Sequence, residues 1–293
     1  MQQFIKKQHI ISAGFIAQFS DRKQKKLRES PISYYDRRAD KILLDKAENI
    51  LYEDNYFEID SSILNILTQD NLIETTLTEL EGKFINIINN KNFANNTEEK
   101  DIILHYMLSL FLRTPKKREL ILTDLSREVS KNYSDPQRVD KHKSNLQAMW
   151  LDSGIFDDIR TSEWLKTIAN MLHSMSVIWY KYENPIYKAH FNEFNSYKYH
   201  FLEINNHEEF ICWDNPIVFW SRVILFPISS RDCLVWIHKK SLNTLNFEID
   251  LINKAIASNA DNVIFWSSES LVKKYVPYFK DKDLSVLKYL DLN

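Results

Sequence analysis

Asn71-Leu-Ile-Glu-Thr-Thr-Leu-Thr-Glu-Leu-Glu-Gly-Lys-Phe-Ile-Asn-Ile-Ile88 reads as an amphipathic helix whose start is marked. Asn71 followed three residues later by Glu74 is a capping box, a side-chain oxygen and a carboxylate that serve the free amides of a first turn. Ile73, Leu77, Leu80, Phe84 and Ile87/Ile88 recur at helical spacing. The Asn-rich run that follows ends the helix. Downstream, Ile103, Tyr106, Met107, Leu110 and Phe111 mark a second helix starting near Thr97. Thr114-Pro115 and Asp135-Pro136 each set a cap before a first-turn proline, so each opens another helix, the second running to Trp150. Thr161 to Tyr182 is a long helix with Trp164, Leu165, Ile168, Leu172, Met175 and Trp179 inward, stopped by Asn184-Pro185.

The texture changes on both sides of this helical stretch. After Tyr197, the runs YHFLEIN, EEFICW, PIVFW, VILFP and CLVWIH are short, aromatic and β-branched, which predicts four or five antiparallel strands. Phe247 to Ser258 returns to helix, Asn262 to Trp266 reads as a strand, and Ser270 to Lys280 as a last helix. Upstream, Gln8 to Ser20 reads as a short helix, Arg22 to Arg28 as a basic loop, and Pro31 to Asp36 as a short strand, while Ala47 to Ile59 has no period. The expected architecture is α+β, a mainly helical body with a small, mostly antiparallel C-terminal sheet. With no linker visible, residues 1–293 are expected to form a single domain. Its helical body covers about 61–185 and its sheet-containing part about 197–293, packed with the N-terminal 1–60.

Composition narrows the function. Of 293 residues only three are glycine, Gly14, Gly82 and Gly154, where average usage of about 7% would give roughly twenty. No dinucleotide-binding glycine turn, no phosphate loop and no nucleophile elbow can be written. The net charge of −2 is not the global signature of a nucleic-acid binder, although local basic patches remain. Arg22–Arg28, Lys116–Arg118 and Arg138–Lys143 are such clusters, read first as solvated surface. Cys212 and Cys233 are too few for a four-thiolate zinc site. They are expected to be reduced, buried and on neighbouring strands. The longest apolar runs fall short of the roughly twenty residues a membrane span needs, so a cytoplasmic protein is expected.

Five places carry candidate chemistry. His9 sits in an apolar segment, where a histidine is either a satisfied structural group or an acid–base group. Glu74 and Glu81 lie two helical turns apart and project from one flank of the apolar stripe, either as solvated surface or as paired inward carboxylates. Arg113 ends a helix, where an arginine caps carbonyls or clamps an anion. Asp214-Asn215-Pro216 is by default a turn between strands, yet its apolar flanks allow Asp214 to face a cleft. Pro227-Ile228-Ser229 closes the next strand and frames the same cleft. The other histidines are scattered, without metal-ligand spacing.

Taken in order, these landmarks resemble the prokaryotic domain-of-unknown-function family 4238. The resemblance runs over His9 through Phe19, the glutamates of IETTLTELEG, Arg113-Thr-Pro115, FICWDNPIVF, Pro227-Ile228-Ser229, and Asn253, Ala260 and Ser267. It spans nearly the whole chain. It departs at HIIS, which lacks the family's proline and tyrosine after the histidine, and at Trp213, where a small Ser or Thr is common. The resemblance implies an intracellular bacterial protein, with some relatives beside mobile-element or phage-defence genes. It brings in Asn253 as a further substrate-binding candidate beside Arg113, Asn215 and Ser229.

The expectation drawn from these residues is a nucleic-acid-processing enzyme, a nuclease or toxic effector in phage defence. His9, Asp214, Glu74 and Glu81 would be its catalytic groups. The metal is unassigned, Mg²⁺ or Mn²⁺ being the candidates; nucleic acid, or another protein of the same operon, is the candidate partner, with no membrane. The alternatives are a non-catalytic sensing or binding module and a hydrolase of a small phosphorylated molecule.

Overall fold

The start signals at Asn71 and at Thr114-Pro115 become helices where they are written. The computed structural model describes residues 7–54, 56–57, 72–90, 97–132, 144, 162–178, 185–204, 208–220, 223–238 and 248–282. Helix α2 spans Leu72–Asn90, α3 Thr97–Leu112 and α4 Pro115–Asn132. Before α4, Thr114 Oγ1 accepts from the Lys117 amide at 3.4 Å, and Pro115 takes the first helical position, where no amide is needed. Helix α5 spans Ser162–Ile178. Pro185, expected only as a helix stop, opens α6, Pro185–Asn195, by the same first-turn rule. The helix expected over 136–150 lies outside the described residues.

The strands correct the expected architecture. The class is α+β, but the sheet is neither single nor C-terminal. In chain order the strands are β1 (Lys7–His9), β2 (Pro31–Asp36), β3 (Lys41–Lys46), β4 (Tyr52–Asp54), β5 (Lys198–Glu203), β6 (Cys212–Trp213), β7 (Val218–Trp220), β8 (Val223–Pro227), β9 (Asp232–Ile237) and β10 (Val263–Trp266). They build three antiparallel sheets, ordered β1-β4, β3-β2-β10-β6 and β5-β9-β8-β7. Strand β10, from the far end of the chain, lies between β2 and β6, with Tyr34 opposite Phe265 and Cys212 on Phe265's other side. A central strand needs partners on both edges for its amides and carbonyls. Pattern in one segment cannot say which distant strand supplies them. Helices α7 (Ile249–Asn259) and α8 (Glu269–Asp281) pack beside this middle sheet.

Two local features escaped the reading. Lys41–Lys46 is a strand although Leu43 and Leu44 sit side by side, because it is an edge strand with both faces largely exposed. Its hairpin turn closes where Asp36 Oδ1 accepts the Arg38 and Ala39 amides at 2.7 and 3.3 Å, and Asp40 adopts φ 49°, which an aspartate tolerates. Gln8–Ser20 is not one helix: β1 leads to a short α1, Ala13–Ile16, and a 3-10 turn over Ala17–Phe19. Cys212 and Cys233 are free and buried as expected, but they occupy different sheets.

The core joins these parts. Phe84 of α2 stacks on Tyr106 of α3 with ring centroids 4.1 Å apart, and Phe15 of α1 stacks on Phe226 of β8 at 5.6 Å. Phe84 also faces Phe226 at 6.0 Å. Segments from the N-terminal, helical and late parts of the sequence thus share one aromatic cluster, and buried apolar area of this kind is the main favourable term in folding. That cluster is the floor on which the polar groups described next are held. Among the described residues no helix is long and apolar enough to cross a membrane.

Candidate functional site

Helix α1 is too short to satisfy its own first amides, and its neighbours serve them. Ser12, its cap, accepts from the Phe15 amide at 3.4 Å and shares a 2.9 Å hydrogen bond with the Tyr106 hydroxyl. Glu81 of α2 turns its carboxylate toward the same point, where the Ser12 hydroxyl and the Gly14 and Phe15 amides face it. A Cβ at position 14 would overlap Glu81 Oε1, so the carboxylate comes this close because residue 14 is glycine, and a larger residue would push it aside. Burial pushes the Glu81 carboxyl up, and those donors with Arg113 pull it back.

Glu74 lies two turns earlier on α2, on the same flank, as the spacing predicts. Burial raises its carboxyl to about 7; Arg113 opposes the rise and Glu81 adds to it. Glu74 Oε1 is buried with no hydrogen-bond partner. The same is true of Arg113 Nε and Nη2. Arg113 follows the last residue of α3, donates its amide to the Ser109 carbonyl at 3.1 Å, and is only 2% exposed. Its guanidinium carbon lies 5.8 Å from the centre of the Tyr106 ring. A buried guanidinium with two nitrogens lacking partners has the donors an oxyanion pairs with.

His9 completes the cluster from β1. It stands opposite Tyr52 in the β1-β4 pair, and its Nε2 donates to the Glu48 carbonyl at 3.2 Å. A carbonyl only accepts, so the proton is on Nε2 and the lone pair is on Nδ1. Burial lowers the His9 pKa, the Glu48 carbonyl opposes this, and the Lys7 and Arg113 charges reinforce it. His9 is therefore a neutral imidazole at neutral pH. His9, Glu74 and Glu81 all feel the charge of Arg113, and all three are half-buried around it.

The structure thus brings together four of the eight candidates. The other four are held in a different network. Asp214, 3% exposed, accepts from the Asp261 and Asn262 amides at 2.9 and 2.6 Å, fixing the turn between α7 and β10. Burial raises its carboxyl to about 6 against the pull of those amides. The Asn215 carbonyl accepts from Ile217 at 2.7 Å, and its side-chain oxygen is buried without a partner. Ser229 Oγ donates to Asp232 Oδ2 at 2.7 Å and accepts from the Arg231 and Asp232 amides at 3.1 and 3.0 Å, closing the β8–β9 turn. Asn253 of α7 donates to the Glu209 carbonyl at 2.7 Å and accepts from the Ile211 amide at 3.0 Å. These bonds do what turns and buried backbone require.

The sequence reading missed Ser12, Gly14 and Tyr106. A glycine among only three, placed in a helix, was the available signal for Gly14. Ser12 and Tyr106 carried none, since their pairing joins residues 94 apart. His173, buried with its ring near the Leu112 and Thr114 carbonyls, packs edge-on to Tyr56 and flat on Phe57. Among the described residues no group of three or more His, Cys, Asp or Glu side chains is placed to hold a metal ion. Of the basic clusters, Arg138–Lys143 lies outside the described residues.

Comparison with known proteins bears on the chain as a whole. A family model described as "Protein of unknown function (DUF4238)" matches residues 7–270, which takes in both networks. No curated protein and no solved structure matches the chain.

Proposed function

This chain belongs to the DUF4238 family, and from the groups around Arg113 we propose that it is a nucleic-acid-processing enzyme that cleaves phosphodiester bonds by acid–base chemistry. Arg113 pairs with the non-bridging phosphate oxygens. Neutral His9 takes the proton of the attacking oxygen at Nδ1, while its Nε2 stays on the Glu48 carbonyl. Glu74 gives its proton to the leaving oxygen. Burial, with a smaller contribution from Glu81, raises the Glu74 carboxyl to about 7 and so keeps a proton on it near neutral pH. Proton transfer of this kind is worth about 10² to 10⁴ in rate for each group.

The observation that supports this reading is the buried Arg113 guanidinium, with Nε and Nη2 lacking partners and Glu74 Oε1 bare beside it. The experiment is cleavage of RNA, single-stranded DNA and duplex DNA by wild type, His9→Asn, Glu74→Gln and Arg113→Met, with Mg²⁺, Mn²⁺ or EDTA. Wild type alone should cleave. Variants that fold and keep full activity overturn the assignment.

A second reading, hydrolysis of a small phosphorylated molecule, is favoured by one observation: Arg113 is 2% exposed. A deep floor suits a phosphate on a small ligand better than one within a duplex. Release of phosphate from a simple phosphomonoester, with no nucleic acid cut, selects it.

A further inference from the structure

We infer that the outer edge of β3 pairs antiparallel with the β3 edge of a second copy of this chain, in the register that sets Leu43 opposite Leu43 and Lys41 of each copy opposite Asp45 of the other. The inference is independent of the Arg113 reading. Strand β3, Lys41-Ile42-Leu43-Leu44-Asp45-Lys46, is outermost in the sheet β3-β2-β10-β6. Its inner edge pairs with β2, from Lys41 opposite Asp36 to Lys46 opposite Pro31. Among the described residues no strand pairs with its outer edge. Such an edge presents unpaired amides and carbonyls, a template for another strand. Leu44 is 71% exposed and Leu43 37%, so this edge also carries apolar surface with little to cover it.

Charge selects the occupant and the register. Successive residues of an edge strand turn their amide and carbonyl alternately toward the neighbour and away from it. Residues set opposite each other across a new pairing must therefore both face outward or both face inward. A two-fold pairing of β3 with itself is then centred on a residue, never between two. Centred on Ile42, Lys41 meets Leu43. Centred on Leu44, Asp45 meets Leu43 and Lys46 meets Ile42. Centred on Leu43, Lys41 meets Asp45 twice, Ile42 meets Leu44 twice, and Leu43 meets itself. Only this last register gives each charge from 41 to 45 its opposite and each apolar side chain another.

A lysine on an edge strand ordinarily deters pairing. Here the deterrent is cancelled for a second copy alone, because the strand carries the matching aspartate itself. Asp45 is held in place by the Lys46 amide and the Asn49 side chain, which donate to its Oδ1 at 2.7 and 2.8 Å, and Lys41 is exposed. Side-chain alternation puts the Lys41–Asp45 and Leu43–Leu43 pairs on one face and the Ile42–Leu44 pairs on the other. Directly opposite pairs of these kinds are what stabilises a sheet. A strand of six residues is far shorter than a standard interface of roughly twenty to thirty residues a side, so the dimer is weak and concentration-dependent.

The test is sedimentation velocity from about 1 μM to 1 mM, the range in which a weak dimer forms. Wild type should pass from monomer to dimer. Lys41→Asp and Asp45→Lys each set two like-charged pairs across the interface and should raise the dimer Kd at least about tenfold. An equimolar mixture of the two variants restores opposite charges at both positions and should dimerise again. Mild oxidation of Leu43→Cys and Leu44→Cys, which keep all charges, reads the register. Leu43→Cys should cross-link faster, because it meets itself, although Leu44 is the more exposed position. A monomer at every concentration overturns the inference and leaves the edge to another segment or another protein. A dimer indifferent to both charge variants, or faster cross-linking of Leu44→Cys, also overturns it.

Discussion

The Tyr56 hydroxyl donates to the carbonyl of Arg113 at 3.0 Å, joining the segment after β4 to the end of α3. The Arg118 guanidinium packs on the other side of the relationship, 4.8 Å from the centre of the Tyr56 ring. Tyr56 therefore fixes where the α3–α4 junction lies, and with it the floor of the cluster.

Tyr56→Phe keeps the ring and removes this bond. A buried carbonyl that loses its donor costs about 1–3 kcal/mol. Chemical denaturation should show a loss in that range. The phosphate-holding step should weaken as well, read as a rise in KM larger than the fall in kcat.

Asp214→Ala should act on stability and leave cleavage intact. It strips the acceptor from two backbone amides, those of Asp261 and Asn262. The expected loss is about 2–4 kcal/mol, from two amides left unpaired. The check is a melting curve beside the specific activity of the folded fraction. A stable variant without activity would return Asp214 to the catalytic groups.

Glu74 makes stability fall as the solution turns alkaline. Its folded pKa of about 7 lies above its unfolded value, so the folded state holds the proton more tightly. The associated stability is present at acid pH, below the unfolded pKa, and is lost as pH rises toward 7. Glu74→Gln cannot lose that proton. The wild-type melting temperature should drop more than that of Glu74→Gln between pH 5 and pH 8. Parallel curves would show that the carboxyl is not perturbed.

His173 has the opposite sign. Burial and the charge of Arg118 depress its pKa to about 3, so the folded state resists protonation. Stability from this source is complete above the unfolded value near 6.5 and is lost as pH falls from there toward 3. The neighbouring carbonyls of Leu112 and Thr114 only moderate the effect. His173→Phe keeps a flat ring against Phe57 and removes the titration. Its advantage over wild type should grow from pH 7 to pH 5, followed by thermal unfolding.

The two networks show where local reading stops. Glu74 and Glu81 were legible as a pair because seven residues is two helical turns, and a helix is a local object. Arg113 and the Thr114-Pro115 cap were legible for the same reason. Asp214 looked like chemistry because a carboxylate between apolar strands is rare. Its partners are the amides of Asp261 and Asn262, 47 and 48 residues on, which no local pattern displays.

By itself the sequence determined the positions of α2, α3 and α4, the strand at Pro31, and the late run of strands, because periodicity and caps act between near neighbours. It also excluded glycine-built nucleotide sites by counting. Only the tertiary structure decided that β10 joins β2 to β6, and that His9 on β1 and Glu74 and Glu81 on α2 all come within reach of the charge of Arg113 after α3. Those outcomes follow from edge pairing between distant strands and from burial of Phe15, Phe84, Tyr106 and Phe226 in one cluster, energies that depend on the chain returning to itself.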